Sequence, residues 1–170
     1  MRAAIATKLF LAALSLALVA GCGYQLRTWD LEGSVETAKI TSNPRNPVAT
    51  PLGQALRSAG VELVDSGSAD VSIELLDHRS GRRSISVTDQ ARAAEYEASL
   101  SVLYRVVDAD GEELAPPRWV RGSRVYTVDR NNLVGSSEEQ ALLEREMVTD
   151  LVQQVIRGVN AVVDASASAA

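Results

Sequence analysis

Hydrophobic and polar residues alternate through the middle of the chain. Between residues 96 and 106 every second residue is apolar or aromatic, and most positions between them carry a charge or a hydroxyl. A period of two indicates a half-buried antiparallel strand. Shorter stretches with apolar alternation or an apolar run predict further strands at residues 35–41, 61–64, 71–75 and 119–128.

Two other segments repeat their apolar residues every three or four positions, the spacing of one helix face. The first follows Thr50 and Pro51, an expected N-cap and a proline at the first helical position, and ends at Gly60. The second follows Ser136 and Ser137, each with a Glu or Gln three residues later, as in a capping box. Its apolar face comprises Val148, Leu151, Val152, Val155, Val159 and Val162.

The predicted order of elements is β-α-β-β-β-β-α, and this pattern leaves open that some strands are continuous, since alternation resumes at Ile85 and Val87 after residues 79–83. Two helices with apolar stripes can cover one face of one sheet. We therefore expect an α/β fold, a two-layer sandwich with two helices packed on one face of a mixed β-sheet. The apolar positions of residues 96–106 would face the helices, and the polar positions would face solvent or a partner. Residues 108–111, Asp-Ala-Asp-Gly, predict a hairpin turn, and Pro116 and Pro117 predict weak pairing or an edge.

The first 21 residues are typical of an export signal. A basic start precedes an apolar run at residues 9–20, which is shorter than the roughly 20 residues that span a bilayer. The segment ends in Leu-Val-Ala-Gly-Cys, which resembles the bacterial lipobox. That resemblance implies cleavage before Cys22 and attachment of a diacylglycerol and an acyl chain there. Gly23, in place of Asp, implies sorting to the outer membrane. The alternative is a plain secretory signal with a chance cysteine.

Composition excludes several classes of function. Of 170 residues, 17 are Lys or Arg and 22 are Asp or Glu, so the formal charge is −5. Removal of residues 1–21, which contain two basic residues and no acid, changes it to −7. An acidic chain lacks the basic face that nucleic-acid binding needs. With one Cys and one His, the chain cannot form a Cys/His metal cluster or an internal disulfide, and we expect no cofactor.

Enzymatic chemistry finds little support in the sequence. His78 could in principle join a Ser and an Asp in a triad, but no Gly-x-Ser-x-Gly follows a strand. Carboxylates near glycine are typical of turns, and a pair on one strand face is typical of a solvated or partner-facing surface. The pairs near glycine are Asp65 with Asp70 and Asp108 with Asp110. The pair on one strand face is Glu95 with Glu97.

An arginine cluster lies around a predicted strand–turn–strand region. Arg79, Arg82 and Arg83 occur together in this acidic chain, with Arg92 beyond them. The planar guanidinium matches phosphate and carboxylate groups with two parallel hydrogen bonds. A phosphate site and a solvated basic turn are both compatible with this pattern. Arg130 precedes the last helix and could lie near the same end.

Residues 21–27, Gly-Cys-Gly-Tyr-Gln-Leu-Arg, resemble the start of the LptE family of lipopolysaccharide-assembly lipoproteins. Further similar segments follow in the same order and together cover most of the chain after the signal. They are residues 51–52, 60–64, 94–96, 139–140 and 144–147.

The resemblance implies a non-enzymatic outer-membrane lipoprotein that sits inside the β-barrel of LptD as a plug and assembly partner. The two proteins would insert lipopolysaccharide into the outer leaflet. The family binds lipopolysaccharide through basic residues near the tip of the long hairpin and before the last helix. This chain lacks basic residues at 89–91 and at the start of that helix, so neighbouring arginines are the candidates. They are Arg82, Arg83, Arg92 and Arg130.

The expected organisation is a signal peptide at 1–21, a lipidated tether at 22–34, one domain at 35–164 and a flexible Ala/Ser tail at 165–170. The expected partners are the LptD barrel, lipopolysaccharide and, through the lipid anchor, the outer membrane. An alternative function is a structural adaptor for another envelope complex. A periplasmic hydrolase is disfavoured because no nucleophile–base pair is evident.

Overall fold

The elements of the chain follow the predicted order. The computed structural model describes residues 35–87, 93–129 and 133–169, so the predicted signal peptide and tether lie outside the described residues. The strands are β1 (Thr37–Ser42), β2 (Glu62–Leu63), β3 (Val71–Val87), β4 (Ala93–Asp108) and β5 (Glu113–Asp129), and the helices are α1 (Ala49–Ser58) and α2 (Leu133–Ala169).

The five strands form one mixed sheet in the order β2-β1-β3-β4-β5. β1 runs parallel to both β2 and β3, whereas β3, β4 and β5 are successive antiparallel partners. α1 packs on β1 and β2, α2 packs on β4 and β5, and the two helices contact each other over a common core. The predicted two-layer α/β sandwich is confirmed.

The long elements match in length. β3 and β5 have 17 residues each, and α2 has 37. At a rise of about 3.3 Å per strand residue and 1.5 Å per helix residue, both lengths are about 55 Å. α2 can therefore follow β5 over its whole length. Neither helix in the described ranges is long and apolar enough to cross a membrane.

β3 is continuous where the sequence predicts a turn. Ser80 and Gly81 pair with Leu100 and Ser99 of β4, and the strand departs from regular register only at two bulges, near residues 76 and 85. A Cβ at Gly81 would lie 3.1 Å from the Ser99 hydroxyl. Gly81 thus permits a close approach of β4, and pairing along both strands overrides the turn propensity of the Arg-Ser-Gly-Arg-Arg segment.

α1 begins before its predicted cap. Thr50 lies inside the helix, and Val48 occupies the cap position without a side-chain hydrogen bond. The buried side chain of Asn46 orders the turn before the helix, since its Oδ1 accepts a hydrogen bond from the Val48 N–H at 3.0 Å. The predicted end is confirmed, because Gly60 has a φ of +84° directly after the last turn.

α2 is longer than predicted at both ends. It begins at Leu133, so the predicted capping boxes at Ser136 and Ser137 lie within the helix. The Ser136 hydroxyl accepts a hydrogen bond from the Asp129 N–H at 3.0 Å and ties the end of β5 to the helix. The helix also continues past the predicted domain end at residue 164, through the Ala/Ser segment to Ala169.

The core is aliphatic, as the composition predicts, and the alternation of β4 is confirmed. Ala98, Leu100, Val102, Tyr104 and Val106 are buried against the helices. The predicted apolar face of α2 is also confirmed, with Met147, Ile156 and Val163 as further buried members.

Two glycines allow α2 to approach the sheet closely. A Cβ at Gly122 of β5 would lie 3.0 Å from Leu151 Cδ1. A Cβ at Gly158 of α2 would lie 1.9 Å from the Tyr104 hydroxyl, which is buried and has no hydrogen-bond partner among the described residues. The position of the helix therefore depends on the absence of a side chain at both sites.

The variant Gly158→Ala is expected to destabilise the protein by about 1–3 kcal/mol, the usual cost of overpacking a core. Inside a helix, replacing Gly by Ala usually stabilises the protein by up to about 1 kcal/mol, so the expected change at Gly158 has the opposite sign. Urea unfolding of the mature protein measures the difference. Tyr104→Phe, which removes the clashing hydroxyl, should reduce the penalty of Gly158→Ala, and an unchanged penalty in that background would contradict this account.

Candidate functional site

Arg82 and Arg83 occupy neighbouring positions of β3 and lie on opposite faces of the sheet. Arg82 pairs with Ala98, a buried residue on the helix side, and Arg83 pairs with Glu97 on the other side. We call the sheet face away from the helices the outer face. Successive residues of a strand point to opposite faces, so the predicted single basic turn does not exist at these two positions.

Arg82 lies beside two stacked tyrosines. Its guanidinium carbon is 4.8 Å from the centre of the Tyr96 ring, and the rings of Tyr96 and Tyr126 stack at 5.9 Å. The Tyr126 hydroxyl donates to Gln140 Oε1 of α2 at 3.0 Å. The same hydroxyl, beside the guanidinium, raises the pKa of Arg82. No ion pair of Arg82 with a carboxylate occurs in residues 35–87, 93–129 and 133–169, so this cation remains available to an external anion.

Arg83 is different because Glu97 of the neighbouring strand forms an ion pair with its Nε. The Arg83 side chain is nevertheless 74% exposed. The outer face contains a second set of paired charges around Arg105, whose Nε lies 2.7 Å from Glu74 and whose Nη1 lies 3.7 Å from Glu113. The polar positions predicted for this face are confirmed, and their charges largely neutralise one another.

A tryptophan lies between two other arginines. The guanidinium carbons of Arg79 and Arg121 are 4.6 Å and 6.0 Å from the centre of the Trp119 ring, within the range of cation–π attraction. Asp77 also pairs with Arg79 at 3.2 Å. The hydrophobic and polar pattern of the sequence did not reveal this cluster. The two-residue spacing of Trp119 and Arg121 indicates that both side chains lie on the same strand face. Arg79 joins them only because β3 and β5 both pair with β4.

The other candidates, Cys22, Arg92 and Arg130, lie outside the described residues. The described residues next to Arg92 and Arg130 in sequence, Ala93 and Asp129, pair at one end of the sheet. Arg82 pairs five positions further along β4, about 17 Å from that end at 3.4 Å per residue.

A cleft of about 740 Å³ opens on the helix side of the sheet. It lies between the start of α1, the middle of β3 and β4, and the first half of α2. Its apolar lining is interrupted by Glu144 and Arg145 of α2. The cleft exists because each helix covers one part of the sheet and leaves the region between them open. Its apolar lining residues are Pro47, Pro51, Ala98, Leu100, Ala141, Met147 and Val148.

The carboxylate pairs serve turns and strand pairing. Asp108 Oδ1 accepts the N–H groups of Asp110 and Glu112 at 3.0 and 2.8 Å in the predicted hairpin turn. Asp70 accepts the N–H groups of Glu36 and Thr37 at 3.0 and 2.8 Å. The Thr37 N–H, and then its side chain, hold the pKa of Asp70 below its usual value of 3.8.

The two acidic residues of the β4 outer face also have neighbours. Glu95 accepts from the Ser86 hydroxyl at 2.7 Å, and Glu97 accepts from Arg83. His78 is half-buried inside β3 and pairs with Val102. Within the three described ranges, no group of three or more His, Cys, Asp or Glu side chains could hold a metal ion.

Comparison with known proteins places this architecture among envelope lipoproteins. A family model described as LptE, lipopolysaccharide-assembly, matches residues 35–159. The chain is 29% identical over 147 residues to the LPS-assembly lipoprotein LptE of Photorhabdus laumondii. The aligned residues make up 85% of this chain and 80% of the relative.

Two solved structures are similar in fold. Lipoprotein B from Nitrosomonas europaea has a TM-score of 0.67 and 25% identity, over 77% of this chain and 86% of that one. Rare lipoprotein B from Shewanella oneidensis has a TM-score of 0.63 and 22% identity, over 74% of this chain and 94% of that one.

Proposed function

Because the chain belongs to the LptE family of lipopolysaccharide-assembly lipoproteins, we propose that it plugs the LptD β-barrel in the outer membrane and helps the barrel to assemble. Together the two proteins insert lipopolysaccharide into the outer leaflet. Its role is non-enzymatic, and acyl chains on Cys22 anchor it to the membrane. The match of the family model to residues 35–159 carries this proposal, since that range includes all five strands and most of α2.

The outer face supports the barrel contact. The interior of an outer-membrane barrel is polar, and the outer face presents hydroxyls and paired charges, with Val125 as an exposed apolar side chain among them. Ser99 and Ser123 form its centre, and both are exposed. A surface of this composition remains soluble before assembly and can exchange water for polar partners in a barrel.

Arg82 is the described residue best placed to contact a lipopolysaccharide phosphate. The mature chain has a formal charge of about −7 by residue count, so long-range attraction to an anionic lipid is unfavourable and a local cation is needed. Charge-assisted hydrogen bonds to such a cation contribute about 1.5–3 kcal/mol each where water is partly excluded. Arg83 is partly neutralised by Glu97, and Arg92 and Arg130 remain candidates from the sequence.

The barrel contact is tested by adding charge to the centre of the outer face. Ser99→Arg with Ser123→Arg is expected to reduce the LptD recovered with the full-length tagged lipoprotein by at least about tenfold, or about 1.4 kcal/mol. Ser66→Arg with Ser68→Arg, an equal charge change in an exposed turn, should leave recovery unchanged. Failure to recover a large barrel with the unaltered protein would refute the proposal.

Lipid attachment is tested at Cys22. Cys22→Ser is expected to leave the precursor uncleaved and without labelled fatty acid, because the thiol is the atom that accepts the diacylglycerol. Incorporation of labelled fatty acid is compared between the two forms in growing cells. Normal labelling of the serine form would exclude the lipobox interpretation.

The contact with lipopolysaccharide is tested by reversing the charge of two arginines on β3. Arg82→Asp is expected to weaken lipopolysaccharide binding by at least about tenfold, equivalent to about 1.4 kcal/mol, and added salt should weaken binding of the unaltered protein by screening. Arg83→Asp is the matched control on the opposite face, with an expected effect below about threefold.

Binding of lipopolysaccharide to the purified mature protein is measured by fluorescence titration. If Arg83→Asp has the larger effect, the ligand site lies on the outer face. If charge reversals of Arg82, Arg83, Arg92 and Arg130 all leave the lipopolysaccharide affinity unchanged, none of these arginines binds the phosphate.

A further inference from the structure

One edge of β3 has no neighbouring strand over most of its length. β1 pairs with β3 only as far as Leu75, where β1 ends at Ser42. β3 continues to Val87, bonded on its other side to β4. In the part of the chain that the structure describes, no strand lies beside this edge beyond Leu75.

Side-chain contacts show which backbone groups point to the open edge. The hydroxyls of Ser99 and Ser101 lie 3.5 Å from the carbonyl oxygens of Gly81 and Arg79, so these carbonyls are directed toward β4. In an antiparallel ladder, alternate residues bond to opposite neighbours. The residues that alternate with Arg79 and Gly81 along β3 therefore direct their N–H and C=O groups to the open edge. They are His78, Ser80 and Arg82.

The opposite edge of the sheet, on β5, is protected. Gln154 Nε2 of α2 donates to the Arg121 carbonyl at 3.3 Å, and Arg124 Nη1 donates to the Ser123 carbonyl at 3.0 Å. Pro116 and Pro117 have no N–H to offer a further strand. An exposed edge invites pairing unless it is covered, so β3 is the edge of the described sheet at which another strand can add.

The cleft of about 740 Å³ lies along the same edge. Ser80 and Gly81 belong to its lining, Ala98 and Leu100 form part of its floor, and Met147 contributes from α2. A strand added to β3 would point every second side chain to the helix side. The side chain beside Ser80 would enter this cleft, which favours an apolar residue there.

Two exposed arginines lie on the outer side of the edge, and each is paired with one carboxylate. The side chains of Arg79 and Arg83 are 72% and 74% exposed. Asp77 and Glu97 accept from their Nε atoms, and each guanidinium has four more N–H donors on its terminal nitrogens. The remaining side chains of an added strand would lie on the same side of the sheet as these donors, and carboxylates there can accept hydrogen bonds from them.

We propose that residues 78–84 of β3 bind an extended protein segment with alternating acidic and apolar residues, which adds to the sheet as a further strand. Main-chain hydrogen bonds from the open edge supply affinity. The two exposed arginines and the cleft select the side chains. A basic or uniformly apolar segment lacks one of these two matches.

The test uses the mature lipoprotein in detergent and a labelled, end-capped octapeptide of alternating Val and Glu. Fluorescence anisotropy is expected to show saturable binding, at least about tenfold tighter than that of the alternating Val and Lys peptide, a difference of about 1.4 kcal/mol. A Val and Glu peptide with N-methyl groups at alternate residues should bind at least about tenfold more weakly, because it lacks main-chain donors on one edge.

Two variants locate the site. Arg79→Glu with Arg83→Glu is expected to weaken the acidic peptide by at least about tenfold, whereas Arg57→Glu with Arg157→Glu, an equal charge change at two exposed helix positions, leaves affinity unchanged. Hydrogen exchange followed by NMR should show peptide-dependent protection of the amides of His78, Ser80 and Arg82. The Arg121 and Ser123 amides on the other edge should remain unaffected.

Absence of saturable binding overturns the proposal. Equal binding of the acidic, lysine-containing and N-methylated peptides, or protection confined to β5, also overturns it. The peptide assay contains neither a barrel nor lipopolysaccharide, so its result is separate from the fate of the proposed function.

Discussion

The close packing of α2 on β4 and β5 determines how the remaining surfaces are used. Gly122 and Gly158 permit this packing, and the buried Tyr104 fills the space beside Gly158. Because a helix of about 55 Å matches the length of the strands, it packs along the inner side of β5 and on part of β4. α1 covers only the short strands at the other end. The cleft and the open edge of β3 are the regions that neither helix covers.

Strand geometry separates arginines that are adjacent in sequence. Arg82 lies among aromatic rings on the helix side, and Arg83 joins Glu97 on the outer face. The first is a cation without a carboxylate partner among the described residues, while the second belongs to a surface of paired charges. Under the proposed function, Arg82 would contact an anionic ligand on one side of the sheet and Arg83 would belong to the protein-binding surface on the other.

The outer face combines high polarity with little net charge. Glu74, Arg105 and Glu113 form one cross-strand group, and Arg83 and Glu97 form another. Exposed ion pairs of this kind contribute little to stability, in the range of about 0–1 kcal/mol. Their effect is to keep one side of three long strands polar without a strong electrostatic field, which suits the barrel contact proposed above.

The sequence alone determined the α/β class, the element order, the inward residues of β4 and the apolar face of α2, because periods of two and 3.6 report which residues a strand or helix buries. It also contained the motifs that identify the family. The tertiary structure decided that β3 is continuous, that α2 begins at Leu133, and that Arg82 and Arg83 lie on opposite faces. Long-range pairing decided these features, since Gly81 and Ser80 form a turn or a strand according to whether Ser99 and Leu100 lie beside them. Local sequence carries no information about that neighbour.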